Sequence, residues 1–206
     1  MQPIEAILFE PVGCLAEFSP EPFLEIAAQI TGRRKQSSKS GSRAYWHLLN
    51  VMEEAGKTGE SSCPFSVYDD VMPALAELKA MGLKLFITSS LPQAAIARFL
   101  EQCPHEFDGV WSRDNAGGIK AAPIRCALLH ASISPSHAIF LTDTAEGLSV
   151  AESLGVNAIL MMNDPDESRR LAMHGPAGGI VSLHELPDFI RLVRAASSRP
   201  VSSAPL

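Results

Sequence analysis

The chain is 206 residues long, 46% hydrophobic and 19% charged, with a formal net charge of -6. That length supplies one substantial core and fits a single domain with a modest insertion better than two equal domains. The composition excludes a disordered or collagenous chain, and nothing in the acidic balance invites nucleic acid.

No stretch approaches the roughly 18 consecutive apolar residues that a membrane span needs. The N-terminus also lacks a basic region ahead of a hydrophobic stretch and a small-residue cleavage site, so no membrane association and a cytoplasmic location are expected. Cys14, Cys63, Cys103 and Cys126 are scattered, with no C-x-x-C pair and no His at metal-ligand spacing. Reduced thiols are expected, not a disulfide framework or a zinc site.

In chain order, a first apolar run, Ala6 to Phe9, reads as a buried strand. From residue 16 to residue 66 the pattern offers two helical segments, near Glu21 to Thr31 and Ser42 to Ala55, and no convincing strand. Their link, Gly32 to Arg43, is rich in Ser, Gly, Lys and Arg and reads as a solvated connection. Beyond it, apolar residues three and four apart predict helices around Val71-Leu75-Leu78, Ala94-Ile96-Phe99-Leu100, Ile124-Ala127-Leu128 and Leu148-Ala151-Leu154. Between them lie apolar runs predicting strands over Leu83 to Thr88, Gly109 to Trp111, Ala138 to Thr142 and Asn157 to Met162. This alternation predicts an α/β fold, a parallel sheet with helices on both faces. Residues 1–15 and 67–194 are assigned to the core, 16–66 to a small helical insertion, and 195–206, mostly Ser, Pro, Ala and Arg, to a disordered tail.

In an open parallel sheet, ligands bind beyond the carboxyl ends of the strands. The residues there are Glu10-Pro11-Val12-Gly13-Cys14-Leu15, Thr88-Ser89-Ser90, and Thr142-Asp143-Thr144, with Lys120 ahead of a helix. Their order and spacing resemble the four motifs of the haloacid dehalogenase superfamily: a strand into D-x-D-G-[TV]-L, a strand ending in Ser or Thr, an isolated Lys, and a strand into an acidic loop. Tyr68 to Pro73 and Ala145 to Leu148 are similar to the phrases flanking the second and fourth motifs in the phosphoglycolate phosphatase-like branch. The resemblance covers about residues 4 to 193. It implies a Rossmann-like core with a short α-helical cap formed by the insertion.

In active members of that superfamily the first Asp attacks phosphorus, and the second protonates the leaving group and later activates water. Mg²⁺ is held by the first Asp, by the backbone carbonyl of the second, and by the acid of motif four. The resemblance places those roles on Glu10, Val12 and Asp143. It places phosphate binding on Thr88, with Ser89 beside it, and charge stabilisation on Lys120. Two departures stand out. Val12 has no proton to give, and general acid-base assistance contributes typically about 10²- to 10⁴-fold. Glu10 carries one methylene more than Asp, and misplacing a reacting group by about 1 Å costs on the order of 100-fold.

Each residue also has a structural reading. Glu10 is either a repositioned nucleophile and metal ligand or a strand-end acid left after the site lost its task. Asp143 suits weak metal binding or a helix N-cap. Lys120 is an anion ligand or a solvated lysine, and Thr88 a phosphate ligand or an ordinary strand end. Cys14 reads as a small buried hydrophobe more readily than as a nucleophile. Arg33, Arg34, Lys35, Lys39 and Arg43 form a basic loop, while Tyr45 and Trp46 are expected to pack the cap on the core.

The expectation is a phosphatase-type scaffold, very weak or inactive as a phosphatase, that binds a small phosphorylated molecule or a protein partner, with Mg²⁺ bound weakly if at all. Two alternatives remain. One is an active Mg²⁺-dependent hydrolase of phosphomonoesters or acyl phosphates using Glu10. The other is a metal-free dehalogenase-like hydrolase, ranked last because that branch also uses Asp as nucleophile.

Overall fold

A computed structural model describes residues 2–18 and 65–197. The two expected insertion helices, the basic loop, Tyr45, Trp46 and Cys63 lie outside the described residues. Six parallel strands form one sheet: β1 (Ala6–Phe9), β4 (Lys84–Thr88), β5 (Gly109–Trp111), β6 (Ala138–Thr142), β7 (Asn157–Met161) and β8 (Gly178–Ile180). Their order across the sheet is β5-β4-β1-β6-β7-β8. Every residue of β1 and β6 is buried, which is why these central strands read as unbroken apolar runs.

Side chains alternate between two core layers. Ile7, Phe9, Leu85, Ile87, Ile139 and Leu141 face one layer, covered by α1 (Val71–Ala80), α2 (Gln93–Gln102) and α6 (Glu185–Ser197). Ala6, Leu8, Phe86 and Phe140 face the other, covered by α3 (Ala121–Ala131), α4 (Ala145–Leu154) and α5 (Pro165–Leu171). Burial of these side chains on both faces, at roughly 1.5–3 kcal/mol for each large aliphatic or aromatic group, is what holds the sheet between its helices.

Two differences from the expected elements concern the ends of the insertion and of the chain. Ala16–Phe18 (β2) and Phe65–Val67 (β3) pair antiparallel as a separate two-stranded ribbon. Glu17 and Ser66 interrupt the two segments, so neither carries an unbroken apolar run. Their pairing is anchored by the tilted contact of Phe18 with Phe65, ring centroids 5.5 Å apart, and the edge-to-face contact of Phe65 with Phe99 at 5.9 Å. The two ends of the expected insertion are therefore paired with each other. At the other end, α6 runs to Ser197, so Ala195 to Ser197 continue a helix where a tail was expected.

The topology fixes where a site belongs. From β1 the chain passes to β4 and then β5 on one side, and crosses to β6, β7 and β8 on the other. The chain thus winds away from β1 toward both edges of the sheet, and the crevice at the carboxyl end of β1 is the switch point at which such sheets bind ligands. Phe9 is level with Ile87 on β4 and with Leu141 on β6, which sets Glu10 beside Thr88 and Thr142.

Candidate functional site

Glu10 leaves β1 with its N–H donated to the Leu141 carbonyl at 3.2 Å. The following turn is closed by Leu15 and Ala16 N–H groups, both donated to the Pro11 carbonyl, and by Gly13 N–H donated to the Ala16 carbonyl. Val12 bridges to Ala16 through those neighbours' groups, so its own carbonyl takes no part in the bridge. The apolar side chain of Val12 packs against the edge of the core.

Thr142, fully buried at the end of β6, donates its hydroxyl to Glu10 Oε2 at 2.7 Å. This contact depends on a glycine. A Cβ at Gly147, in the first turn of α4, would sit 2.0 Å from Thr142 Oγ1 and 2.8 Å from Thr142 Cβ. A Gly147→Ala variant is therefore expected to displace Thr142, break its bond to Glu10 and lose about 1–3 kcal/mol of stability, as overpacked cores do. Chemical denaturation measures the loss; an unchanged midpoint would show that α4 shifts freely.

Asp143 follows, and it is not the helix cap. Thr144 takes that place, its Oγ1 accepting the Gly147 N–H at 3.0 Å. Freed from capping, the Asp143 carboxylate lies against Gly13: a Cβ there would fall 1.9 Å from its Oδ2. Gly13 also has φ +78, so glycine is required on both grounds. Asn163, at the end of β7, holds the pair together. Its Nδ2 donates to the Gly13 carbonyl at 2.9 Å and to Asp143 Oδ2 at 3.2 Å.

Both carboxyls are hard to ionise. Although part of Glu10 stays open to solvent, burial pushes its pKa up to about 7; the Thr142 hydrogen bond opposes this, and the charges of Asp143 and Glu146 add to it. Burial likewise pushes Asp143 up to about 6, opposed by its own amide and Asn163 and reinforced by Glu167. Cys14 is fully buried, and that burial, with Asp143 and Glu10 nearby, holds its thiol well above the usual range. A thiolate nucleophile is disfavoured there.

On the β4 side, Thr88 is 3% exposed and its hydroxyl has no hydrogen-bond partner among the described residues. Ser89 is committed to the turn: its N–H donates to the Trp111 carbonyl at 2.9 Å and its Oγ accepts the Leu91 N–H at 3.1 Å. Ser90 is the serine that reaches Lys120, its Oγ accepting the Lys120 N–H at 2.9 Å. Lys120 has φ 62 and ψ -102, a strained backbone for a residue with a Cβ. Its ammonium pairs with Glu146 at the start of α4.

The geometry thus brings Glu10, Thr142, Asp143, Gly13 and Asn163 into one group, and Thr88, Ser90 and Lys120 onto the neighbouring side, with Glu146 between as an ion-pair partner of Lys120 and a charge acting on Glu10. Asn163 escaped sequence reasoning because its contacts lie 150 and 20 residues away; its one signal is its place after a parallel strand.

Among the described residues, no cluster of three or more His, Cys, Asp or Glu side chains is arranged to hold a metal. A cation at this site would draw on two carboxylates, Glu10 and Asp143, and on the Val12 carbonyl. That donor set fits magnesium, which keeps several waters and takes only one or two protein carboxylates. The interactions also fit, because the charges acting on both carboxyls are negative and a cation would relieve them.

The family model for haloacid dehalogenase-like hydrolases matches residues 25–161. The chain belongs to that family. The matched span begins after Glu10 and Val12, so membership does not rest on those two residues. Over 116 residues the chain is 29% identical to enolase-phosphatase E1 of Frankia alni, covering 53% of this chain and 49% of that protein. The chain spans about half the length of this curated relative. Its fold superposes on a haloacid dehalogenase-like hydrolase from Streptococcus pneumoniae with a TM-score of 0.72 at 18% identity, over 92% of this chain and 99% of that one. A predicted phosphoglycolate phosphatase from Haemophilus somnus gives the same TM-score and coverage at 16% identity. The L-2-haloacid dehalogenase of Xanthobacter autotrophicus superposes with 0.63 at 16%, over 91% and 98%. These likenesses establish the haloacid dehalogenase-like fold. No helix among the described residues of this haloacid dehalogenase-like chain is long and apolar enough to cross a membrane.

Proposed function

We propose that this haloacid dehalogenase-like protein binds a small phosphorylated ligand beside a weakly held divalent cation and turns phosphomonoesters over very slowly or not at all. The observation that carries this reading is the Thr88 hydroxyl, buried without a partner at the carboxyl end of β4. An unpartnered buried polar group costs about 1–3 kcal/mol and persists where a ligand supplies the missing partner. Lys120, held in its strained conformation by Ser90, brings positive charge to the same end of the sheet.

The slow turnover follows from two side chains. Val12 offers no proton, so an alkoxide leaving group would depart unassisted. Burial pushes the Glu10 carboxyl up to about 7, which disfavours the ionised form that would attack phosphorus. When bound, magnesium would neutralise phosphate charge. Thr88 and Lys120 would orient the phosphoryl oxygens, and Thr142 would hold the Glu10 carboxyl.

Thr88→Val tests the reading with two opposed outcomes. Removing an unsatisfied hydroxyl of nearly the same shape is expected to raise the melting temperature by roughly 2–4 °C, from about 1 kcal/mol. The stabilisation given by inorganic phosphate with magnesium is expected to disappear. Retained phosphate stabilisation in the variant would remove Thr88 from the anion site. A hydrolase using Glu10 is the second reading, favoured by the carboxylate that Glu10 keeps beside Asp143. It requires magnesium-dependent release from acetyl phosphate that Glu10→Ala abolishes.

A further inference from the structure

Lys120 does not meet the crevice as a free cation, because Glu146 already holds it. The two side chains remain 45% and 47% exposed, so the pair is accessible and separable, the kind of contact that adds little to stability. Two features show that it is nonetheless positioned. Lys120 is fixed at φ 62 by the bond from its N–H to Ser90 Oγ, which over-determines where its side chain starts. Glu146 sits in the first turn of α4, where the helix dipole favours a carboxylate, behind an N-cap that Thr144 completes. The Glu146 charge also reaches Glu10 across the site.

We propose that Glu146 is a specificity-determining residue: its carboxylate occupies Lys120 in place of a ligand and so sets the charge an incoming anion must carry. A monoanion such as acetate would only exchange one carboxylate for another and gain nothing. A phosphoryl dianion, carrying more charge and more acceptor oxygens, displaces Glu146 and takes over the ammonium. The inference rests on the anion site proposed above and deepens it.

A double-mutant cycle on phosphate binding separates the two. Titration calorimetry with inorganic phosphate and magnesium at constant ionic strength would compare the natural chain, Glu146→Gln, Lys120→Ala and the double variant. Glu146→Gln is expected to tighten phosphate on the order of three- to tenfold, the effect of freeing Lys120 from an exposed ion pair. It is also expected to make acetate a measurable competitor. Lys120→Ala is expected to weaken phosphate, and the double variant to match Lys120→Ala within about twofold. An equal gain from Glu146→Gln in the Lys120→Ala background would overturn the proposal, since Glu146 would then repel the ligand directly. So would no gain at all; if Lys120→Ala still weakened binding in that case, the anion site would stand and only the competition would fall. Absence of phosphate binding in all four proteins would remove the anion site and this inference with it.

Discussion

Replacing both Glu10 and Val12 with Asp is expected to raise magnesium-dependent phosphatase activity by at least roughly 10²- to 10⁴-fold over the natural chain. The two substitutions repair different steps. Asp at position 12 supplies a proton to the leaving group, so Val12→Asp alone should favour alkyl phosphates, whose alkoxides leave poorly, over nitrophenyl phosphate, whose phenolate leaves unaided. Asp at position 10 shortens the reach by one methylene, a change of about 1 Å that is worth on the order of 100-fold for any leaving group. The backbone is ready for both. The Val12 bridge is made through Pro11, Gly13 and Ala16, so a new side chain at 12 leaves those bonds intact. Parallel rates on an alkyl and a nitrophenyl phosphate measure the split. A natural chain that already hydrolyses the alkyl ester as fast as the double variant would mean that another group delivers the proton, and the slow-turnover reading would fail.

The fold was legible in this sequence wherever a strand is buried on both faces. Ala6–Phe9 and Ala138–Thr142 begin and end where their apolar runs do, and so does Gly109–Trp111, although it is only half-buried at the sheet edge. Gly178–Ile180 escaped because two of its three residues are glycines and its place at the sheet edge demands no apolar run. Pro165–Leu171 escaped for a different reason: its signal lies in its ends, with Asp164 capping the N–H groups of Asp166 and Glu167 and Pro165 leading the first turn, not in an apolar stripe. At the candidate site, motif spacing singled out Glu10, Thr88, Lys120 and Asp143 as expectations. It did not show that Thr142 bonds Glu10, that Gly147 makes room for it, or that Asn163 clamps Asp143. Those relations join residues on different strands, and only register and strand order bring them together.

Glu10→Gln is expected to leave stability unchanged near pH 4 and to raise it progressively toward pH 8. Unfolded, the Glu10 carboxyl ionises near 4.5; folded, burial holds it to about 7. Between these values the folded protein retains a proton that the unfolded chain has released, so rising pH favours unfolding, and the deficit is complete above about pH 7. Such a shift corresponds to about 3 kcal/mol at most, and the solvent-open part of Glu10 reduces it to roughly 1–3 kcal/mol. Glutamine does not ionise and its amide oxygen can still accept the Thr142 hydroxyl, so the variant escapes the deficit and its melting temperature at pH 8 should exceed that of the natural chain by roughly 3–10 °C. Asp143, shifted in the same direction, keeps a smaller pH dependence in the variant. Magnesium supplies the countercharge that burial withholds, so at pH 8 it should stabilise the natural chain more than Glu10→Gln, narrowing the gap between them. Melting curves from pH 4 to 8, with and without magnesium, read both effects. A gap that does not change with pH would mean that Glu10 is fully solvated. An equal magnesium response in the two proteins would take Glu10 out of the cation site and leave Asp143 and the Val12 carbonyl as its remaining protein donors.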